Sequence, residues 1–222
     1  MNMRILVFCM LMISAGLSAC GRARGSQPFE IGDLLLDEDF SNPSAWETYS
    51  DPAIQVDLRV VDGVYRIDAH NEVFIWGLNA QMHTDVVIEV ETEQLSSYAD
   101  NAYGVMCRAD PADDGDGYYF FISGDGYYTI RRGAGDEIAP LIEWLPSSAI
   151  HQGQEHNRIR AVCIQDYLAL YVNDQFVDET RDQLYSSGVT GLTAGVSAGG
   201  DVRIDFDNLL VFAAQFAQTN EN

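Results

Sequence analysis

Turn residues recur along this chain at intervals too short for helices and well matched to strands, and this spacing constrains the fold more than any other feature. Residues 54–61 and 64–69 flank Asp62-Gly63, a pair that suits the two-residue hairpin turn because both positions accept positive φ. Residues 118–123 and 127–132 flank Gly124-Asp125-Gly126, and 159–164 and 167–172 flank Gln165-Asp166. Asn173-Asp174 then turns the chain again. Residues 84–95 alternate, with Val86, Ile88 and Val90 on one side and Glu89, Glu91 and Glu93 on the other, and 201–212 make a last long strand. Helical periodicity is absent apart from a single turn around Ser147–Ile150. Regular short strands with frequent turns predict an all-β fold, a two-sheet antiparallel β-sandwich over residues 34–212.

Composition narrows what such a sandwich can do. The 222 residues carry 34 acidic and 12 basic side chains, a formal net charge of −22. Every basic residue is arginine, with no lysine anywhere. Such a surface excludes nucleic acid as a partner, because binding it needs cations that displace counterions. The absence of lysine excludes Schiff-base chemistry. A domain of this size buries about 70% of its unfolded surface and needs no cofactor to hold a core.

Residues 5–17 form an apolar run too short to span a bilayer, and it ends in Leu17-Ser18-Ala19-Cys20. This N-terminus resembles that of bacterial lipoproteins. The resemblance implies a signal peptide over 1–19 and a diacylated Cys20 whose partner is membrane lipid. It places the protein on the extracytoplasmic face of the cell membrane or outer membrane. Residues 20–33 then read as a lipidated cysteine and flexible tether of about 20 Å reach, with Arg22 and Arg24 near anionic headgroups. Residues 213–222 read as a polar, frayed tail. With Cys9 in the signal and Cys20 acylated, Cys107 and Cys163 remain. Outside the cytoplasm they are expected to join two strands as a disulfide, the alternative being two buried thiols.

A second resemblance covers nearly the whole mature chain. It rests on Asp39-Phe40-Ser41, on Asn101-Ala102-Tyr103-Gly104-Val105 followed by Arg108, and on Tyr118-Tyr119-Phe120 before Gly126-Tyr127-Tyr128. Further along it rests on Asn157-Arg158-Ile159-Arg160, Leu170-Tyr171-Val172-Asn173, Gly188, Gly191-Leu192 and Phe206-Asp207-Asn208. In this order they resemble the concanavalin A-like, laminin G-like jelly rolls, including the family named for 3-keto-disaccharide hydrolases. The resemblance implies a jelly roll of a kind that often meets glycans. It implies no particular active site, because one fold hosts many functions.

Two functions follow as expectations: non-catalytic binding of carbohydrate or another envelope ligand, and glycoside cleavage. For binding, an aromatic platform with a nearby cation can stack and hydrogen-bond a sugar. The candidates are Trp76, Tyr119, Tyr128, Arg131 and Trp144, with Arg108 nearby. In the run from Tyr118 to Phe121, alternate residues face opposite ways, so one pair lies off the main core unless both faces are covered. For catalysis the alternative is Glu89, Glu91 and Glu93, which share a strand face at about 6.5–7 Å, a spacing that glycosidase carboxylates use. The competing reading is a solvated strand face. No cofactor is expected. A structural calcium is an alternative, held by Asp39, Asp205 or Asp207, whereas Asp110, Asp113, Asp114 and Asp116 fail the EF-hand pattern. The four histidines lack zinc-ligand spacing.

Overall fold

The computed structural model describes residues 27–44, 46–112 and 115–218. The signal, Cys20 and the loop residues Asp113 and Asp114 lie outside the described residues. Fifteen strands form among those described. They are β1 (Phe29–Glu38), β2 (Tyr49–Asp51), β3 (Val56–Val61), β4 (Val64–His70) and β5 (Val73–His83). Next come β6 (Val86–Gln94), β7 (Asn101–Ala109), β8 (Gly117–Ile122), β9 (Tyr127–Ala134) and β10 (Glu137–Pro146). The last five are β11 (His156–Ile164), β12 (Tyr167–Val172), β13 (Gln175–Arg181), β14 (Gly188–Val196) and β15 (Asp201–Phe216).

These strands make two antiparallel sheets. The larger runs β13-β12-β11-β6-β15-β4-β3-β2, with β1 also paired to β15, and the smaller runs β10-β9-β8-β7-β14-β5. The expected β-sandwich is present, and its hairpins form where the turn chemistry puts them. Asp62 and Gly63 both take positive φ between β3 and β4, as do Asn173 and Asp174 between β12 and β13.

Alternate side chains of both sheets fill the space between them. Val86, Ile88 and Val90 of β6 meet Tyr103, Val105, Tyr118, Phe120 and Ile130 of the smaller sheet in one continuous core. Cys107 of β7 and Cys163 of β11 are both fully buried there and form the expected disulfide, their Cα atoms 6.9 Å apart. The bond ties one sheet to the other across 56 residues of sequence. In the chain-entropy model this contributes about 4 kcal/mol.

Two sequence boundaries need correction. The tether was expected to run to Asp33, but strand pairing starts at Phe29; the frayed tail was expected from Ala213, but β15 continues to Phe216. Each segment orders the other, since Phe29 pairs Phe216, Glu30 pairs Gln215 and Ile31 pairs Ala214. Phe29 and Phe216 also pack on a small apolar cluster around Tyr167 on the outer face of the larger sheet.

Candidate functional site

The outer face of the smaller sheet can be mapped from its register. Trp76 pairs Thr193, Thr193 pairs Gly104, Gly104 pairs Phe121 and Phe121 pairs Thr129, one row across five strands. Trp144 on β10 adjoins this row, next to Leu145, which pairs Tyr128. Strand spacing puts the two tryptophans at opposite edges, about 24 Å apart along the sheet. The neighbouring row reads Leu78, Gly191, Met106, Tyr119, Arg131 and Pro140.

An outward face of a two-layer sandwich is ordinarily solvated, yet Met106, Tyr119 and Phe121 are all 0% exposed. They shield one another. The rings of Tyr119 and Phe121 stack at 5.4 Å, and Phe74 meets Phe121 edge-on at 5.8 Å. Phe74 packs against Gly195, where any Cβ would overlap its ring. From the loop after β7, Gly115 folds over the same face. Its carbonyl accepts the Tyr119 hydroxyl at 2.6 Å, and a Cβ there would stand 3.0 Å from the Trp76 indole. One end of the face is therefore roofed.

The other end is open, and a cleft of about 560 Å³ lies there. Phe74, Tyr127 and Trp144 supply apolar walls, Ala102 and Gly195 line it with small residues, and Glu72, Asp100, Asn101, Ser123 and Asp125 supply polar groups. Phe74 and Tyr127 are 44% and 40% exposed, so part of each aromatic side chain is open to solvent. The turn between β8 and β9 is anchored from beneath. Asn101 accepts the Gly124 amide at 3.1 Å, Ser123 donates to the Ala99 carbonyl at 3.2 Å, and Ser123 also bonds to Asp125. Aromatic walls with a few oriented polar groups suit a polyhydroxylated ligand that also has an apolar face.

Four of the five sequence-chosen binding residues, Trp76, Tyr119, Arg131 and Trp144, share this face. Only Trp144 borders the cleft. Tyr119 is sealed beneath Gly115, so it is floor and not platform. Tyr128 points the other way, into the core, where its hydroxyl donates to Asp178 at 2.9 Å. The residue that faces the cleft is its neighbour Tyr127. Period-two parity with Arg131 was the available signal, since residues 127, 129 and 131 share a side. The same parity from Trp76 leads to Phe74. Arg108 is also not available to a ligand. It is 2% exposed, and its guanidinium donates to the carbonyls of Thr84, Gln165 and Tyr185 and to Asp85.

The carboxylate row occupies the opposite side of the molecule, on the outer face of the larger sheet. Glu89 binds Arg160 at 2.5 Å, Glu91 accepts the Asn208 amide at 3.2 Å, and Glu93 stands 3.6 Å from His156. None of the three lines the cleft or the smaller groove between β1 and β15. Each carboxylate instead has a cross-strand or bulge partner. The calcium alternatives are likewise engaged elsewhere. Asp205 holds Arg66 through two bonds of 2.5 and 2.6 Å, Asp39 accepts the Ser41 amide, and Asp207 accepts the Asn208 amide in a bulge. Among the described residues no group of three or more histidine, cysteine or acidic side chains converges to hold a metal.

Comparison with known proteins returned structures and no sequences: no family model matches the chain, and no curated protein matches it. Among solved structures it is similar to a carbohydrate-binding module, CBM66, from Bacillus subtilis, at 15% identity and a TM-score of 0.62, over 78% of this chain and 97% of that one. A galectin-like protein of unknown function from Bacillus subtilis aligns at 11% identity and 0.60, over 85% and 100%. The Bacillus licheniformis β-glucanase aligns at 10% and 0.57, over 83% and 99%. At these identities the likeness establishes the fold. It is a jelly roll.

Proposed function

We propose that this chain is an extracytoplasmic, lipid-anchored protein that binds carbohydrate in the cleft beside Phe74, Tyr127 and Trp144. The observation that carries the reading is the cleft itself: exposed aromatic surface on its walls and the carboxylates of Glu72, Asp100 and Asp125 at its rim. A sugar presents the complementary pattern, C–H groups for the rings and hydroxyls for the rim. The structural neighbours that bind or cleave glycans support the same ligand class. A glycan array probed with the protein, followed by calorimetry on the best hit, tests the reading. Trp144→Ala should weaken that hit about tenfold, and affinity unchanged in Trp144→Ala and Phe74→Ala would overturn it.

Glycoside cleavage of the 3-keto-disaccharide hydrolase type is the second reading, and one observation favours it. Glu72, Asp100 and Asp125 border the cleft, and paired carboxylates are what such chemistry uses. Turnover of a bound glycan that disappears in Asp100→Asn or Asp125→Asn would establish it. The anchor is tested separately. Two acyl chains on Cys20, at about 0.8 kcal/mol per buried methylene, hold a protein at a membrane almost permanently. Cys20→Ala should release the protein or leave it unprocessed, and a mutant of normal mature size in the membrane fraction would refute the lipid anchor.

A further inference from the structure

Nine arginines lie among the described residues, and eight of them have a carboxylate within ion-pairing distance: Arg59, Arg66, Arg108, Arg132, Arg158, Arg160, Arg181 and Arg203. Arg131 is the exception. In a chain with 34 acidic side chains, a guanidinium without one is unusual. Its position makes the omission informative. Arg131 sits on the outer face of the smaller sheet, cross-strand from Tyr119 on one side and Pro140 on the other. Neither neighbour is a carboxylate. Its Nε is buried and has no hydrogen-bond partner among the described residues. The next residue along, Arg132, has a buried Nε in the same state, but it faces the other way and its Nη1 binds Asp182 at 2.6 Å, so the missing carboxylate is what sets Arg131 apart.

A guanidinium offers five donors in a fixed fork that matches a carboxylate or sulfate, and shielding a donor from water without a partner is costly. We infer that the bound glycan carries an acid group, a carboxylate or sulfate on the sugar, and that Arg131 receives it. The inference rests on the binding function proposed above and adds the ligand's charge. The face is polarised to suit such a ligand. Arg131 lies two residues from Thr129 in the tryptophan row and four from Tyr127, about 13 Å along the strand. Asp125 lies before the start of that strand and Asp100 before β7, which runs the same way, both at the cleft's far rim. A sugar over Trp144 would direct hydroxyls to that rim and its acid toward Arg131. The acidic surface does not forbid this. Exposed charges more than about 8 Å away are screened at physiological salt, so the nearest guanidinium decides.

The test uses the full chain in detergent on an array pairing acidic oligosaccharides with neutral counterparts. One arm holds oligogalacturonates and alginate fragments with their carboxyl-reduced forms, the other sulfated galactans with their desulfated forms. The wild type should prefer one acidic arm by about tenfold or more over its neutral match, and the preference should shrink as salt rises. Arg131→Gln should collapse that ratio to near unity, and Arg131→Lys should keep part of it. Equal affinity for acidic and neutral members, or a preference that survives in Arg131→Gln, would overturn the inference and leave carbohydrate binding standing. Binding to neither arm nor to any neutral glycan would overturn both.

Discussion

The two outer faces of this sandwich are built on opposite principles. On the larger sheet many outward charges meet an opposite partner on a neighbouring strand, as with Glu89 and Arg160, Asp205 and Arg66, or Asp68 and Arg203. Much of that face is electrically answered within the protein. On the smaller sheet the outward row is aromatic and largely sealed, one end opens into a cleft, and Arg131 on it has no carboxylate partner among the described residues. A face that satisfies itself needs only water. The other leaves ring surface, rim carboxylates and a cation for something else to meet, and this contrast locates function more firmly than any one residue does.

The largest effect should come from the sealed floor. Phe121→Ala removes a fully buried ring from an outer face and should destabilise the domain by about 3–5 kcal/mol, as a core truncation does. A loss under 1 kcal/mol in urea unfolding would show that this face is not a second core. Cutting the covalent link between the sheets comes next. The Cys107→Ser, Cys163→Ser double variant should lose about 4 kcal/mol by the same measurement.

Alkaline pH offers a third probe. Burial pushes the hydroxyls of Tyr103 and Tyr118, both on the core side of the smaller sheet, up to about 12 from an ordinary value of 10.0. Because the folded values are raised, the stability they contribute is complete below pH 10 and is lost as pH climbs toward 12. The urea midpoint should therefore fall across that window, with tyrosinate absorbance appearing together with unfolding. Tyrosinate signal from these two residues in the intact fold would contradict it.

The smallest effects set the faces against each other directly. Trp144→Ala should cost ligand affinity about tenfold while leaving stability nearly intact, because the ring is only partly buried. Glu91→Gln on the opposite face should change stability by less than about 0.5 kcal/mol and leave affinity unchanged. Glycan turnover that vanishes in Glu91→Gln would reverse the assignment of the two faces.

Much of the architecture was legible because hairpins are local. Asp62-Gly63 and Asn173-Asp174 specify their own turns, and the alternation around Glu89 marks a half-exposed strand without reference to anything else. What could not be read is which sheet a strand joins, since β6 finds its partners in β11 and β15, more than sixty residues away. The order of Phe29–Asp33 was hidden for the same reason, as it comes from the far end of the chain. In the candidate site, Trp144 and Arg131 were chosen for their chemistry and lie on the face that carries the cleft. Tyr127 and Tyr128 are the same residue type, and only strand parity separates the one at the cleft from the one in the core. Phe74 and the rim acids were missed because they converge from three separate strand ends, a juxtaposition that only topology creates.

The disulfide also acquires a mechanical meaning from its place in the fold. Cys107 lies on β7, inside the sheet that carries the cleft, and Cys163 lies on β11. From there the connections run sideways, β11 to β6, β6 to β15, and β15 to β1, which leads back to the N-terminal segment. A pull between a captured ligand and that segment would cross from one layer to the other through a covalent bond. It would then be carried by hydrogen bonds between long antiparallel strands. Without the bond, side-chain packing and the backbone crossings between the sheets, such as β6 to β7 and β14 to β15, would carry the load between the layers. The tie is thus a rivet added to those crossings, joining a strand of one sheet to a strand of the other.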